Sequence, residues 1–156
     1  MIEKNISFDD AGRNSLKVGI DTLSQAVAST LGASGKTVII EDQFGNPHIT
    51  KDGVTVANSV ILSDPVENLG VSILRQASQK TATEAGDGTT TSCVLAKAII
   101  DRCFDSINSI ENVTQAKEGI EMAARNVVYA LEKMKKEVTD KSLVEVATIS
   151  ANGDKY

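Results

Sequence analysis

The chain has 156 residues, of which 41% are hydrophobic but only 3% aromatic, and it holds no Trp. That suffices for one domain whose core is built from Val, Ile, Leu and Ala, an inventory that suits helix packing. The net charge of −5 argues against a general nucleic-acid or anionic-membrane surface, since those need clustered Lys and Arg.

No apolar run approaches the roughly 18 residues of a transmembrane helix. Met1-Ile2-Glu3-Lys4-Asn5 does not open a signal peptide. The expected setting is cytoplasmic, or an equivalent reducing compartment. Cys93 and Cys103 lie ten positions apart in one helical run, hence about 15 Å along its axis. A disulfide needs Cα atoms within about 7 Å, so these two do not pair. Cys93 reads as a small apolar filler. With His48 the sole histidine, a zinc site has no ligand set. Any metal is therefore a hard ion held by carboxylate and phosphate oxygens.

In chain order, Lys4 to Phe8 is a short candidate strand. From about Asp9 a helix follows, with Leu16, Ile20, Leu23 and Val27 on one stripe. It ends at Thr30-Leu31-Gly32. Thr37 to Glu41 is rich in β-branched residues and reads as a strand. Asp42 to Pro47 is turn material, and His48-Ile49-Thr50 returns to complete a hairpin. After the tight turn Lys51-Asp52-Gly53, Val54 to Val60 is a brief helix.

Asp64-Pro65-Val66-Glu67 is a strong helix start, with Asp64 as cap and Glu67 completing a capping box. The spacing puts Val66, Leu69, Ile73, Leu74 and Ala77 on one face, and Gly86 ends the helix. A second helix carries Val94, Leu95, Ala98 and Ile99. Asn112 with Gln115 caps a third, striped by Ala116, Ile120, Ala123, Val127 and Leu131. Lys133, Lys135 and Lys136 gather at its end, where the helix dipole favours cations. Thr139 to Thr148 is a shorter helical segment, and Ser150-Ala151-Asn152-Gly153-Asp154 reads as the cap of a further helix. The expected fold is mostly α, with a small sheet based on one β-hairpin.

Gly86-Asp87-Gly88-Thr89-Thr90-Thr91 packs two glycines, a carboxylate and three hydroxyls between two helices. A helix start leaves backbone N–H groups free, and its dipole favours an anion. The glycines allow a close approach, and Asp87 can hold a cation beside that anion. The stretch is thus a candidate grip for a phosphate–magnesium unit. By spacing alone it is equally a joint whose threonines cap the second helix. Lys51-Asp52-Gly53 is by itself ordinary turn chemistry, Thr30-Leu31-Gly32 a helix end, and His48 a surface residue. Two familiar phosphate motifs fail. Gly35-Lys36-Thr37 resembles the tail of a P-loop, but Thr30 occupies the leading glycine position and a strand follows instead of a helix. A dinucleotide fingerprint from Gly86 meets Thr91 at its third small position and a helix where a strand belongs.

Three segments carry a more specific pattern: Thr30-Leu31-Gly32-Ala33-x-Gly35-Lys36, Ile49-Thr50-Lys51-Asp52-Gly53-Val54, and Ala85 through Thr91. In this order and spacing they closely resemble the GroEL-like group I chaperonins, and Thr148-Ile149-Ser150-Ala151-Asn152 fits the same family. The resemblance implies an N-terminal segment of a helical equatorial ATP-binding domain over residues 1–136, with 137–156 starting an intermediate domain. It implies ATP-driven refolding of unfolded protein clients by a homo-oligomeric ring with a co-chaperonin. By motif match, Thr30, Leu31, Gly32 and Ala33 would line the nucleotide, and the Thr30 and Lys51 backbone would lie near a potassium ion. Asp87 would bind magnesium, while Gly88, Thr89, Thr90 and Thr91 would cradle the phosphates. Asp52 would lie near the γ-phosphate and position the attacking water. Such a site works by positioning and charge neutralisation, which is what phosphoryl transfer requires.

Some positions depart from the family pattern. Ala33 stands where Pro is usual, Ser92-Cys93 replaces an Ala-Thr pair, and Ile110 and Val113 stand where Gly and Pro break the helices. The chain is also far shorter than a complete member, so the resemblance implies a fold incomplete relative to the family and a site lacking one wall. The alternative expectation is a truncated, non-catalytic module that docks into or modulates a full-length chaperonin ring.

Overall fold

The computed structural model describes residues 6–32, 34–42, 44–106 and 112–151. They form six helices and one two-stranded sheet: α1 (Asp9–Ala28), β1 (Val38–Glu41), β2 (Pro47–Thr50), α2 (Gly53–Ser59), α3 (Pro65–Ala85), α4 (Thr89–Ser106), α5 (Val113–Met134) and α6 (Asp140–Ser150). The chain divides into two compact units, Met1–Phe104 and Asp105–Tyr156. Among the described residues no helix is long and apolar enough to cross a membrane.

In the first unit, the α1 stripe faces inward as its spacing predicts, with Ile20, Leu23 and Val27 buried. They join Val56 and Ala57 of α2, Val71 and Leu74 of α3, and Cys93 of α4 in one core. Two glycines set the α1–α3 crossing. A Cβ on Gly19 would lie 1.8 Å from the Glu67 carbonyl oxygen, and one on Gly70 would lie 2.1 Å from that of Leu16. The helices therefore touch backbone to backbone, which only residues without a side chain permit.

That contact corrects the expected stripes. On α3 the buried positions are Gly70, Val71, Leu74 and Ser78, while Leu69 and Ile73 are exposed. Periodicity marks an apolar face, but Gly70 decides which face meets α1. On α4, Cys93 is buried and Ala96 and Ile100 pack on the core, whereas Leu95 and Ile99 of the expected stripe face outward. The strand expected at Lys4 to Phe8 does not form over its described part. Residues 6–8 are outside any strand, and Phe8 is extended (φ −118°, ψ 160°) only as the residue leading into α1.

β1 and β2 make the expected antiparallel hairpin, pairing Val38 with Thr50 and Glu41 with Pro47. Its turn is organised by Asp42, whose Oδ1 accepts from the N–H groups of Phe44 and Asn46, both at 2.8 Å. His48 is an exposed strand residue. At α3 the Asp64 carboxylate caps the helix by accepting from Val66 N at 2.8 Å and Glu67 N at 3.0 Å. Arg75 reaches from α3 to the far end of α2, donating to the carbonyls of Ala57 and Val60.

In the second unit, Asn112 caps α5 by accepting from the N–H groups of Thr114 and Gln115. Thr139 caps α6 through a reciprocal box with Ser142. Lys133 lies over the Tyr129 ring at 4.2 Å, and Lys135 pairs with Glu132 at 2.6 Å, which fits end-of-helix charge. Neither α5 nor α6 buries a residue. Ile110, Asn152 and Asp154 lie outside the described residues.

Candidate functional site

The first candidate turn closes α1. Thr30 N donates to Val27 O at 3.1 Å, Leu31 N to Ala28 O at 3.1 Å, and the Thr30 hydroxyl to Val27 O at 2.7 Å. Lys36 N then returns to Ser29 O at 2.7 Å, which draws the segment into a closed loop leading to β1. Leu31 and Gly32 are exposed; Ala33 lies outside the described residues.

The second turn opens α2. Asp52 is its N-cap: Oδ2 accepts from Thr55 N at 2.8 Å and from the Thr55 hydroxyl at 2.6 Å. Partial burial pushes the Asp52 carboxyl up, but bonds from the Thr55 hydroxyl and the Thr55 and Val54 N–H groups outweigh it and hold its pKa below the usual value. The carboxylate is therefore charged at neutral pH. Lys51 is exposed beside it.

The third turn joins α3 to α4. Gly86 (φ 77°) and Gly88 (φ 83°) adopt the left-handed backbone that ends a helix and suits glycine. Between them Asp87 is exposed, and its Oδ1 accepts from Gly88 N at 2.6 Å. Gly88 O accepts from Ser92 N at 2.9 Å, so Thr89, Thr90 and Thr91 form the first turn of α4. Their N–H groups have no carbonyl four residues back within the helix, and the dipole is positive there.

The second and third turns meet at Gly53, beside the last turn of α1. A Cβ placed on it would lie 2.2 Å from the Thr90 hydroxyl oxygen and 3.5 Å from Val27 Cγ1. The start of α4 thus rests on the start of α2, beside the last turn of α1. The result is one locus where a charged carboxylate, a row of hydroxyls and a positive helix end lie close together. Among the described residues no group of three or more His, Cys, Asp or Glu is arranged to hold a metal ion.

A model of the TCP-1/cpn60 chaperonin family matches residues 23–156. The chain belongs to that family. It is 44% identical over 154 residues to mitochondrial heat shock protein 60 of Saccharomyces cerevisiae, a match covering 98% of this chain and 27% of the yeast protein. Its fold is similar to that of the chaperonin gp146 from the Pseudomonas aeruginosa bacteriophage EL, solved in the presence of ATP-BeFx. That likeness has a TM-score of 0.80 and 32% identity over 94% of this chain and 26% of the phage chain. A group III chaperonin in the open state matches with a TM-score of 0.74 and 28% identity, over 93% of this chain and 29% of that one. The chain therefore spans about a quarter of the length of these relatives, and the helical segment with its single hairpin is a chaperonin fold.

Sequence reasoning missed three features of this chaperonin segment. Gly53 reads in the sequence as a turn residue within a family motif, and the structure makes it the contact point between the starts of α2 and α4. Thr55 completes the Asp52 cap, a role that the Asp-x-x-Thr spacing signals. The third is a set of four charges linking α1 and α4, whose only sequence trace is two Lys-x-x-x-Asp pairs, Lys17–Asp21 and Lys97–Asp101. Ser92-Cys93 fits inside the helix: Ser92 bonds back to Thr89 O at 2.7 Å, and Cys93 fills the core.

Proposed function

We propose that the locus around Gly53 is one wall of a magnesium–ATP site, and that the chain is the N-terminal nucleotide-binding and ring-contact segment of an ATP-driven protein-folding chaperonin subunit. The observation that carries this reading is the seating of the Thr90 hydroxyl on Gly53, beside Asp52 and the end of α1.

The residues suit such a ligand. The first turn of α4 offers N–H and hydroxyl donors for phosphate oxygens, and the absent side chains of Gly86 and Gly88 leave room for it. Asp87 supplies one hard oxygen for magnesium, whose remaining positions fall to phosphate and water. Magnesium would neutralise developing phosphate charge. Asp52, charged and held by Thr55, would orient the attacking water, and Thr30, Leu31, Gly32 and Ala33 would flank the nucleotide. The Thr30 and Lys51 carbonyls are the candidates for potassium.

In this reading residues 1–136 are the N-terminal part of the equatorial ATP-binding domain and 137–156 begin the intermediate domain. The complete subunit would assemble as a homo-oligomeric ring with a co-chaperonin and refold unfolded clients in the cytoplasm or an equivalent reducing compartment. Hydrolysis by the 156-residue chain itself is expected to be very slow or nil.

The test is a complete subunit carrying these residues. Asp87→Ala should abolish its magnesium-dependent ATP hydrolysis; full turnover in that variant overturns the assignment. Ring incorporation of the short chain without any magnesium–nucleotide binding in calorimetry would favour a docking module instead.

A further inference from the structure

The first turn of α4 is where phosphate would bind, yet α4 meets the core mainly through three residues of modest size, Cys93, Ala96 and Ile100. A second tie lies further along. Lys17 Nζ is 2.9 Å from Asp21 Oδ2 and 3.1 Å from Asp101 Oδ1. Lys97 Nζ is 3.1 Å from Asp21 Oδ1 and also pairs with Asp101 Oδ2. Two ammoniums and two carboxylates thus alternate around a square, each holding one partner on its own helix and one on the other. The four side chains are 25–33% exposed.

The own-helix partner matters. It already restrains each long side chain, so the bond to the opposite helix costs less conformational entropy than an isolated pair would. Two cross-helix ion pairs, one of them also a hydrogen bond, restrain both the rotation and the axial position of α4 on α1. Asp21 lies six residues before Val27, and Lys97 seven after Thr90, so the square sits about 10 Å from the Gly53 contact. Thus α4 is held at two points, on Gly53 of α2 at the site and on α1 at the square.

We propose that Lys17, Asp21, Lys97 and Asp101 are positioning residues for the nucleotide site. The square holds α4 in the register that places the Thr89–Thr91 hydroxyls and N–H groups beside Gly53 and Asp52. This inference rests on the nucleotide-site reading above. Partly exposed ion pairs contribute little to stability, so the role of the square is register.

The test compares the 156-residue chain with Asp101→Asn, Asp101→Glu and the inverted square, Lys17→Asp with Asp21→Lys, Lys97→Asp and Asp101→Lys. Amide NMR signals of Gly53 and Thr89–Thr91 are read without nucleotide, and magnesium–ADP affinity by calorimetry. Asp101→Asn should shift those amides and weaken ADP binding roughly tenfold, with little change in the urea midpoint. Asp101→Glu or the inverted square should restore both. Unmoved amides and affinity in Asp101→Asn overturn the inference, as does a loss that neither restoring variant repairs. If the parent chain binds no ADP while Asp101→Asn still moves the amides, the nucleotide reading falls and the register role stands.

Discussion

Adding one methyl group at the α1–α3 crossing should unseat the core. In Gly19→Ala the new Cβ would sit 1.8 Å from Glu67 O, 2.8 Å from Glu67 C and 3.0 Å from Val71 N. All three are backbone atoms, so no side-chain rotation relieves the clash. The helices must part by roughly an ångström, which loosens Ile20 and Leu23 against Val71 and Leu74. Overpacking typically costs about 1–3 kcal/mol, and the opened contacts put this site at or above the upper end. The better helix propensity of Ala returns about 1 kcal/mol. A net loss of about 2–3 kcal/mol is expected, a large share of a stability of about 5–15 kcal/mol. The urea midpoint, followed by circular dichroism, should fall by about 1–2 M. Gly119→Ala is the control, because its Cβ would meet nothing within 4 Å; it should stabilise α5 by about 0.5–1 kcal/mol. A Gly19→Ala midpoint equal to or above the parent's would refute the backbone-contact argument.

The remaining predictions concern the site and its supports. Gly53→Ala must displace the Thr90 hydroxyl, a movable atom, so magnesium–nucleotide affinity should drop about tenfold while the urea midpoint stays nearly unchanged; calorimetry that finds parental affinity contradicts the Gly53 contact. The carboxyls of Asp21, Asp52 and Asp101 lie below their usual value of 3.8. Bonds from Lys17, Lys97 and Thr55 outweigh burial at Asp21 and Asp52, and the Lys97 bond leads at Asp101. Lys17 and Lys97 lie above 10.5, held there chiefly by Asp21 and Asp101 respectively. Depressed acids lose their contribution as pH falls below 3.8, and raised lysines as it climbs past 10.5. The midpoint contribution of these groups should thus be flat from about pH 5 to 9, and a steep slope inside that window would count against it. Burial pushes the Cys93 thiol up, and Cys103 is only partly buried. A thiol reagent at neutral pH should label Cys103 and spare Cys93 until urea unfolds the chain; equal labelling of both in the folded state would refute this.

What could be read from the sequence was what is decided locally. The Asp64 cap, the left-handed stop at Gly86, the Asn112 cap and the Asp42 turn depend on a few neighbouring residues, and all form. Which face of a helix is buried is decided elsewhere in the chain. Leu69 and Ile73 on α3, like Leu95 and Ile99 on α4, share the periodicity of an apolar face but lie outside. The backbone contacts of Gly19 with Glu67 and of Gly70 with Leu16, and the placement of Cys93, select another face. The three turns were visible one by one because their residue types are distinctive. The meeting of the second and third at Gly53 was not, since a glycine carries no chemical label for what approaches it.

The Arg75 bonds have a consequence for motion. A helix of seven residues such as α2 is too short to persist in water unaided. Asp52 holds its leading end, and the guanidinium from α3 holds the carbonyls at its trailing end. Its amides should then open to solvent only when α3 lets go, so hydrogen exchange would register the two helices as a single cooperative unit. A tug on Asp52 would reach α3 as the displacement of one rigid piece.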